Sequence, residues 1–151
     1  MPNIFISYRR EDSSATAQIL HDQLSTWFVR DKVFFDLQDI ALGDDWKKLL
    51  TERLAEYDIV LVVIGPAWLT ILGEREASGA NDFVRWEIAE ALRQKKRVIP
   101  VLVDGATLPA PEQLPSDITA LGRLQFETLH RDTRDRDIAA LAAALEGGGL
   151  V

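Results

Sequence analysis

The run Ile-Val-Leu-Val-Val-Ile at positions 59–64, stopped by Gly65 and Pro66, constrains the fold more than any other stretch of the chain. Six successive aliphatic side chains with no polar alternation suit a strand buried on both faces, the situation of a parallel sheet covered by helices. The flanking sequence agrees, because short β-rich runs alternate with helical periodicity, the pattern of an α/β domain. The predicted first strand is Ile4-Phe5-Ile6-Ser7-Tyr8 and the second is Val33-Phe34-Phe35-Asp36. Val98-Ile99-Pro100-Val101-Leu102-Val103 reads as the fourth, although proline normally avoids strand interiors, and residues 124–126 read as a short fifth.

Helices fill the intervals. Ala17, Leu20, Leu24, Trp27 and Phe28 recur on one face of a helix that Asp12 or Ser13 can cap. Asp44 can cap a second helix striped by Trp46, Leu49, Leu50 and Leu54, after a loop over residues 37–43. A loop or short helix is expected from Pro66 to about residue 81, where Asn81 or Asp82 caps a helix with Val84, Ile88 and Leu92 on one face. A proline-bearing loop covers residues 105–115, and the mixed-sign run 131–137 reads as a solvated entry to a last helix striped by Ile138, Leu141 and Leu145. At 151 residues the chain fits one domain, taken as residues 1–146. Gly147-Gly148-Gly149 opens a glycine-rich tail, 147–151, read as a linker to a further domain, with a frayed end as the alternative.

Composition removes whole classes of function. Without cysteine there can be no disulfide, thiolate metal site or cysteine nucleophile, and with only His21 and His130 no histidine-rich metal cage. A net charge of −7 and a pI of about 4.8 argue against nucleic acid as a direct partner, since affinity for phosphate backbones comes from clustered Lys and Arg. No run reaches the roughly 20 apolar residues of a membrane span. The amino terminus lacks the basic region and apolar core of a signal peptide, so the expectation is a soluble cytoplasmic protein with no membrane partner. The familiar GxGxxG, GxxxxGK[ST], GxSxG, HExxH and CxxC patterns are all missing.

Three segments remain that can carry chemistry. In an open sheet of order 2-1-3-4-5, ligands bind beyond the carboxyl ends of the strands, between the first and third, where the winding reverses. Tyr8, Arg9 and Arg10 end the first strand there, and paired guanidiniums beside a helix amino terminus suit a pyrophosphate. The alternative is two solvated arginines pairing with Glu11 or Asp12. Asp36 ends the second strand and leads into a flap with an apolar tip, Ile40-Ala41-Leu42, before Gly43, which suggests contact with a partner or substrate unless it is an ordinary connection. Phe83 and Glu87, four residues apart, share one face of the helix that follows Asp82, so a ring and a carboxylate can face one pocket. The alternative is a surface glutamate in a well-capped helix.

Together, Phe5-Ile6-Ser7-Tyr8-Arg9-Arg10, Val33-Phe34-Phe35-Asp36 through Gly43, Glu87-Ile88-Ala89-Glu90-Ala91-Leu92 and Val98-Ile99-Pro100-Val101 resemble the boxes of the TIR family, the Toll/interleukin-1 receptor domain. The resemblance covers roughly residues 2–145. It implies a flavodoxin-like α/β fold with a five-stranded parallel sheet of order 2-1-3-4-5 and helices on both faces. Some members of that family are adaptors that assemble through TIR–TIR contacts, while others hydrolyse or cyclise NAD⁺ at the nicotinamide–ribose bond. The resemblance implies Glu87 as the catalytic carboxylate, Tyr8, Arg9, Arg10, Asp36, Trp46 and Phe83 as substrate contacts, and Asp39, Ile40, Leu42 and Gly43 as the self-associating BB loop. Phe83 stands where enzymatic members commonly have tryptophan, and Trp86 with Glu90 repeats the aromatic-to-glutamate spacing three residues on; Ile88 as a core residue favours Glu87. NAD⁺ is then substrate rather than cofactor, no resident cofactor or metal is called for, and a fused sensor or effector domain is expected. A receiver-like domain fits poorly, because Arg9-Arg10 rather than an acidic cluster follows the first strand.

Overall fold

The computed structural model describes residues 3–28, 33–34 and 45–146. Among these residues five parallel strands, β1 (Ile4–Ser7), β2 (Val33–Phe34), β3 (Ile59–Ile64), β4 (Arg97–Val103) and β5 (Glu127–Leu129), lie in the order β2-β1-β3-β4-β5. Ile4 aligns with both Val33 and Ile59, and Ile59 with Arg97, so the strand ends form a common edge. Every residue of β3 is buried, as its unbroken aliphatic run requires of a strand covered on both faces.

Among the described residues five α-helices cover the sheet: α1 (Arg10–Trp27), α2 (Trp46–Ala55), α3 (Trp68–Ser78), α4 (Phe83–Arg93) and α5 (Arg134–Glu146). Strand alternation divides the core in two. Ile4, Ile6, Tyr8, Leu61 and Val63 face Leu20, Leu24, Ile138 and Leu141 of α1 and α5. Phe5, Val60, Val62 and Ile64 face Leu50, Trp68, Val84 and Ile88 of α2, α3 and α4. Among the described residues no helix is long and apolar enough to cross a membrane.

Several local expectations need correction. The α1 helix begins at Arg10 rather than after a cap at Asp12 or Ser13; Ser13 has non-helical angles (φ −141°, ψ 28°), so the regular helix does start near that point, after a kinked first turn. Asp45 caps α2, its carboxylate accepting from Lys48 N–H at 3.3 Å, whereas Asp44 lies outside the described residues. Trp27 and Leu49 are exposed rather than core residues. The interval after Pro66 contains an eleven-residue helix, α3, ended by Gly79 at φ 72°, a conformation glycine adopts without steric cost. The fifth strand lies at Glu127–Leu129, not 124–126, and Phe126 is 48 % exposed. Pairing between β4 and β5 starts only at Val101, so Pro100 falls where β4 lacks that neighbour and its missing N–H is tolerated. Asp36, Asp39, Ile40, Leu42, Gly43 and the tail 147–151 lie outside the described residues.

Candidate active site

The carboxyl end of β1 meets the first turns of α4. Asp82 caps α4, its Oδ1 accepting from the Arg85 N–H at 3.2 Å, which satisfies one of the donors a helix start leaves unpaired. The helix then turns Val84, Ile88 and Ala91 into the core and brings Glu87 to the sheet, 3 % exposed. There the Ser7 hydroxyl donates to Glu87 Oε1 at 2.9 Å. The alternative of a surface glutamate is therefore excluded. Burying a carboxylate is costly unless it is hydrogen-bonded, and Ser7 supplies one such bond from the strand.

Arg9 is placed differently from its sequence expectation. Rather than emerging into the crevice beside Arg10, its side chain is 1 % exposed and forms a fork on Asp82, Nη1 to Oδ1 at 3.0 Å and Nη2 to Oδ2 at 2.9 Å. Its guanidinium carbon lies 5.0 Å from the centre of the buried Trp68 ring, a cation–π contact. Only Arg10 of the pair is exposed. Tyr8 also departs from expectation, being buried in the core on the α1 and α5 face, opposite Glu87. Asp12, read as a cap, instead reaches the loop after β3, accepting from Gly65 N–H and Ala67 N–H at 2.8 Å each. A Cβ at Gly65 would stand 2.7 Å from both carboxylate oxygens, so this bond requires glycine there.

Phe83 and Trp46 do come together, with ring centres 4.5 Å apart, and Trp86 approaches Trp46 at 5.9 Å in an edge-on arrangement. Trp46, Asp82, Arg85, Trp86 and Asp117 line a cavity of about 200 Å³. A second, of about 20 Å³ and room for a single water, is bordered by Arg9, Arg75, Phe83 and Val84. Both fall below the roughly 300–1,000 Å³ of typical small-molecule sites. A groove of about 640 Å³ lies at the opposite end of the sheet, between Val98, Ile99, Leu124 and Phe126.

Glu90, the alternative carboxylate, faces α2. It accepts from Arg93 and from Gln94 Nε2 at 3.0 Å, while the same Gln94 nitrogen donates to the Thr51 carbonyl at 3.2 Å. The Arg93 hydrogen bonds hold its carboxyl below the ordinary carboxylate range, against burial, which acts in the other direction. Its charge is balanced within its own helix. Sequence reasoning placed Asp82 at the start of this helix but missed Ser7 as the partner of Glu87 and the contact of Arg9 with Asp82 and Trp68. The parity of Ser7 and Arg9 was the available signal, since the backbone stays extended at Arg9 beyond the end of β1 and residues two apart in extended chain share a face.

Comparison with known proteins bears on what such a site does. The family profile of the TIR domain matches residues 4–145. A Danio rerio protein named NAD(+) hydrolase SARM1 is 30 % identical over 148 residues, covering 97 % of this chain and 20 % of its own. The Drosophila melanogaster NAD(+) hydrolase sarm1 is 27 % identical over 147 residues, covering 96 % and 10 %. The chain thus spans a fifth or less of these relatives' length. Among solved structures, the TIR domains of the activated Roq1 resistosome recognising the pathogen effector XopQ align with a TM-score of 0.64 at 15 % identity, over 98 % of this chain and 99 % of that one. The Clostridium botulinum CMP N-glycosidase BcmB aligns at 0.51 and 14 %, over 93 % and 97 %.

Proposed function

The chain belongs to the TIR domain family, and from that membership we propose that it is an NAD⁺ glycohydrolase or cyclase that cleaves the nicotinamide–ribose bond. The observation that carries this reading is the Glu87 carboxylate, buried at the carboxyl end of β1 on the bond from Ser7 and one turn from the Phe83 ring. The names of the two animal relatives support the substrate.

One carboxylate is chemically sufficient. A glycosidase ordinarily needs a second acid to protonate the leaving oxygen. Nicotinamide in NAD⁺ is already cationic and departs neutral, so no general acid is needed. Glu87 bonds the ribose hydroxyls and stabilises the oxocarbenium-like charge as the bond breaks, an interaction strengthened in the transition state. Phe83, backed by Trp46, offers its ring to the substrate, and Arg10 and Asp36 complete the contacts on the ribose and phosphate side. Attack by water yields ADP-ribose; attack by a group of the same ADP-ribose yields a cyclic isomer.

The cavities beside Phe83 and Trp46 are smaller than a dinucleotide requires. Self-association through Asp39, Ile40, Leu42 and Gly43 completes the site, so turnover depends on assembly. The working place of the module is the cytoplasm, in defence or signalling, joined to a sensor or effector domain, without direct contact to nucleic acid or membrane; the acidic charge and the lack of cysteine support this. The deciding experiment is NAD⁺ consumption at high protein concentration with a crowding agent, products separated by chromatography, and Glu87→Ala alongside. Turnover that disappears with Glu87 is expected. No turnover in demonstrably assembled protein would instead make the chain a non-enzymatic TIR–TIR interaction module.

A further inference from the structure

The carboxyl end of β1 and the start of α4 are joined by two side-chain contacts, one at Ser7 and one just beyond the strand at Arg9, whose spacing matches. Ser7 ends β1 and Arg9 follows two residues on in extended backbone, so the two side chains point the same way, about 6.6 Å apart along the chain. Their partners Glu87 and Asp82, five residues apart, are separated by about 7.5 Å along the helix. Arg9 forks onto Asp82 at 2.9 and 3.0 Å, and Ser7 donates to Glu87 at 2.9 Å, so the two contacts are rungs of one antiparallel ladder. One rung fixes how far α4 slides along β1; two fix its rotation as well.

The upper rung is rigid. A bidentate arginine–carboxylate pair is directional as well as charged. Here both side chains are nearly sealed, at 1 % and 6 % exposure, and the Trp68 ring lies 5.0 Å from the guanidinium carbon. Asp82 simultaneously caps the helix through Arg85 N–H, so the arginine holds the end of the helix and not merely a passing side chain. Arg9 Nε is buried without a hydrogen-bond partner, a cost that such a clamp tolerates because its other two nitrogens are satisfied.

We propose that Ser7, Arg9 and Asp82 are positioning residues that set the place of the Glu87 carboxylate, and that Arg9 acts through Asp82 rather than on substrate phosphates. This rests on Glu87 being the catalytic carboxylate. Catalysis by fixed electrostatics falls steeply when a charged group moves by about 1 Å, so the ladder acts on kcat more than on KM.

The test compares the wild type with Ser7→Ala, Arg9→Lys and Asp82→Asn in the assembled protein, measuring kcat and KM for NAD⁺ and, on the same samples, amide hydrogen exchange across α4. Each variant is expected to lose about tenfold or more in kcat with KM within about twofold, Arg9→Lys losing least because it keeps the charge and forfeits only the fork. Exchange at Arg85 and Trp86 should quicken in Arg9→Lys and Asp82→Asn. A raised KM at unchanged kcat in Arg9→Lys would make Arg9 a phosphate ligand and overturn the proposal. Lowered melting temperature with both constants intact would leave the ladder a merely structural element and overturn it too. Should Arg9→Lys fail to fold, Asp82→Asn carries the same comparison. If the wild type does not consume NAD⁺, the catalytic reading fails on its own, while unchanged exchange in both clamp variants overturns the ladder separately.

Discussion

The two flanks of α4 each bury a glutamate, three residues apart, and treat it in different ways. On the flank facing α2, Glu90 is 5 % exposed and surrounded by donors from its own last turn, Arg93 and Gln94. On the flank facing β1, Glu87 is 3 % exposed and receives a neutral hydroxyl from Ser7, a residue 80 positions away in sequence. Burial thus does not distinguish the two carboxylates. The partners that are seen differ in kind: Glu90 meets a guanidinium of its own helix, which neutralises charge, whereas Glu87 meets a hydroxyl brought by a distant strand, which orients the carboxylate.

The comparison is broken most sharply by exchanging the acids for amides one at a time. Glu87→Gln should reduce NAD⁺ turnover by at least about 10²-fold in assembled protein, while Glu90→Gln should stay within about threefold of the native rate; equal losses would erase the distinction between the flanks. Trp46 spans both flanks, touching Phe83 at 4.5 Å and Trp86 at 5.9 Å. Trp46→Ala is expected to lower unfolding stability in urea by about 2 kcal/mol, the sum of two aromatic contacts. A smaller effect belongs to Glu90→Ala, about 1 kcal/mol, because Arg93 is itself largely exposed and its pairing is screened. The smallest is a change of slope with pH. The Glu90 carboxyl is held below its ordinary value of 4.5, so its contribution is fully present above that pH and is lost as pH falls through the lower folded value. Glu90→Gln should therefore flatten the stability curve below about pH 4.5, measured by denaturation at stepped pH; an unaltered acid limb would show that the Arg93 pairing does not differ between folded and unfolded chains.

Local pattern made much of this legible. The aliphatic run at 59–64 identified the central strand, and the spacing of Val84 and Ile88 oriented α4 so that Glu87 could be chosen over Glu90. What failed were contacts whose partners lie far apart in the chain. Arg9 and Asp82 are 73 residues apart, and nothing in either neighbourhood marks them as a pair; adjacent arginines look alike in sequence, yet Arg9, still extended beyond β1, turns inward while Arg10 starts the helix and is exposed. Asp12 misled for a related reason. Aspartate before an apolar-periodic stretch is a good cap signal, but here the carboxylate finds two amides of another loop, and the helix starts at Arg10 instead. The sequence leaves α3 open between a loop and a short helix, because Gly65 and Pro66 ahead of it and Gly73 within it lower local helix propensity, while Trp68 and Leu72 anchor it by burial.

The close approach at Gly65 makes the carboxyl end of β3 sensitive to any added side chain. A methyl group at that position would meet both Asp12 oxygens at 2.7 Å, and the carboxylate would have to let go of the Gly65 and Ala67 amides. Ala67 is the residue from which α3 departs, and Trp68, the next, is the ring against which Arg9 rests. One added carbon atom, 22 residues before Glu87, would thus press on the carboxylate that holds the loop leading to the ring under Arg9. What this corner of the molecule admits over time is decided by clearance before it is decided by chemistry.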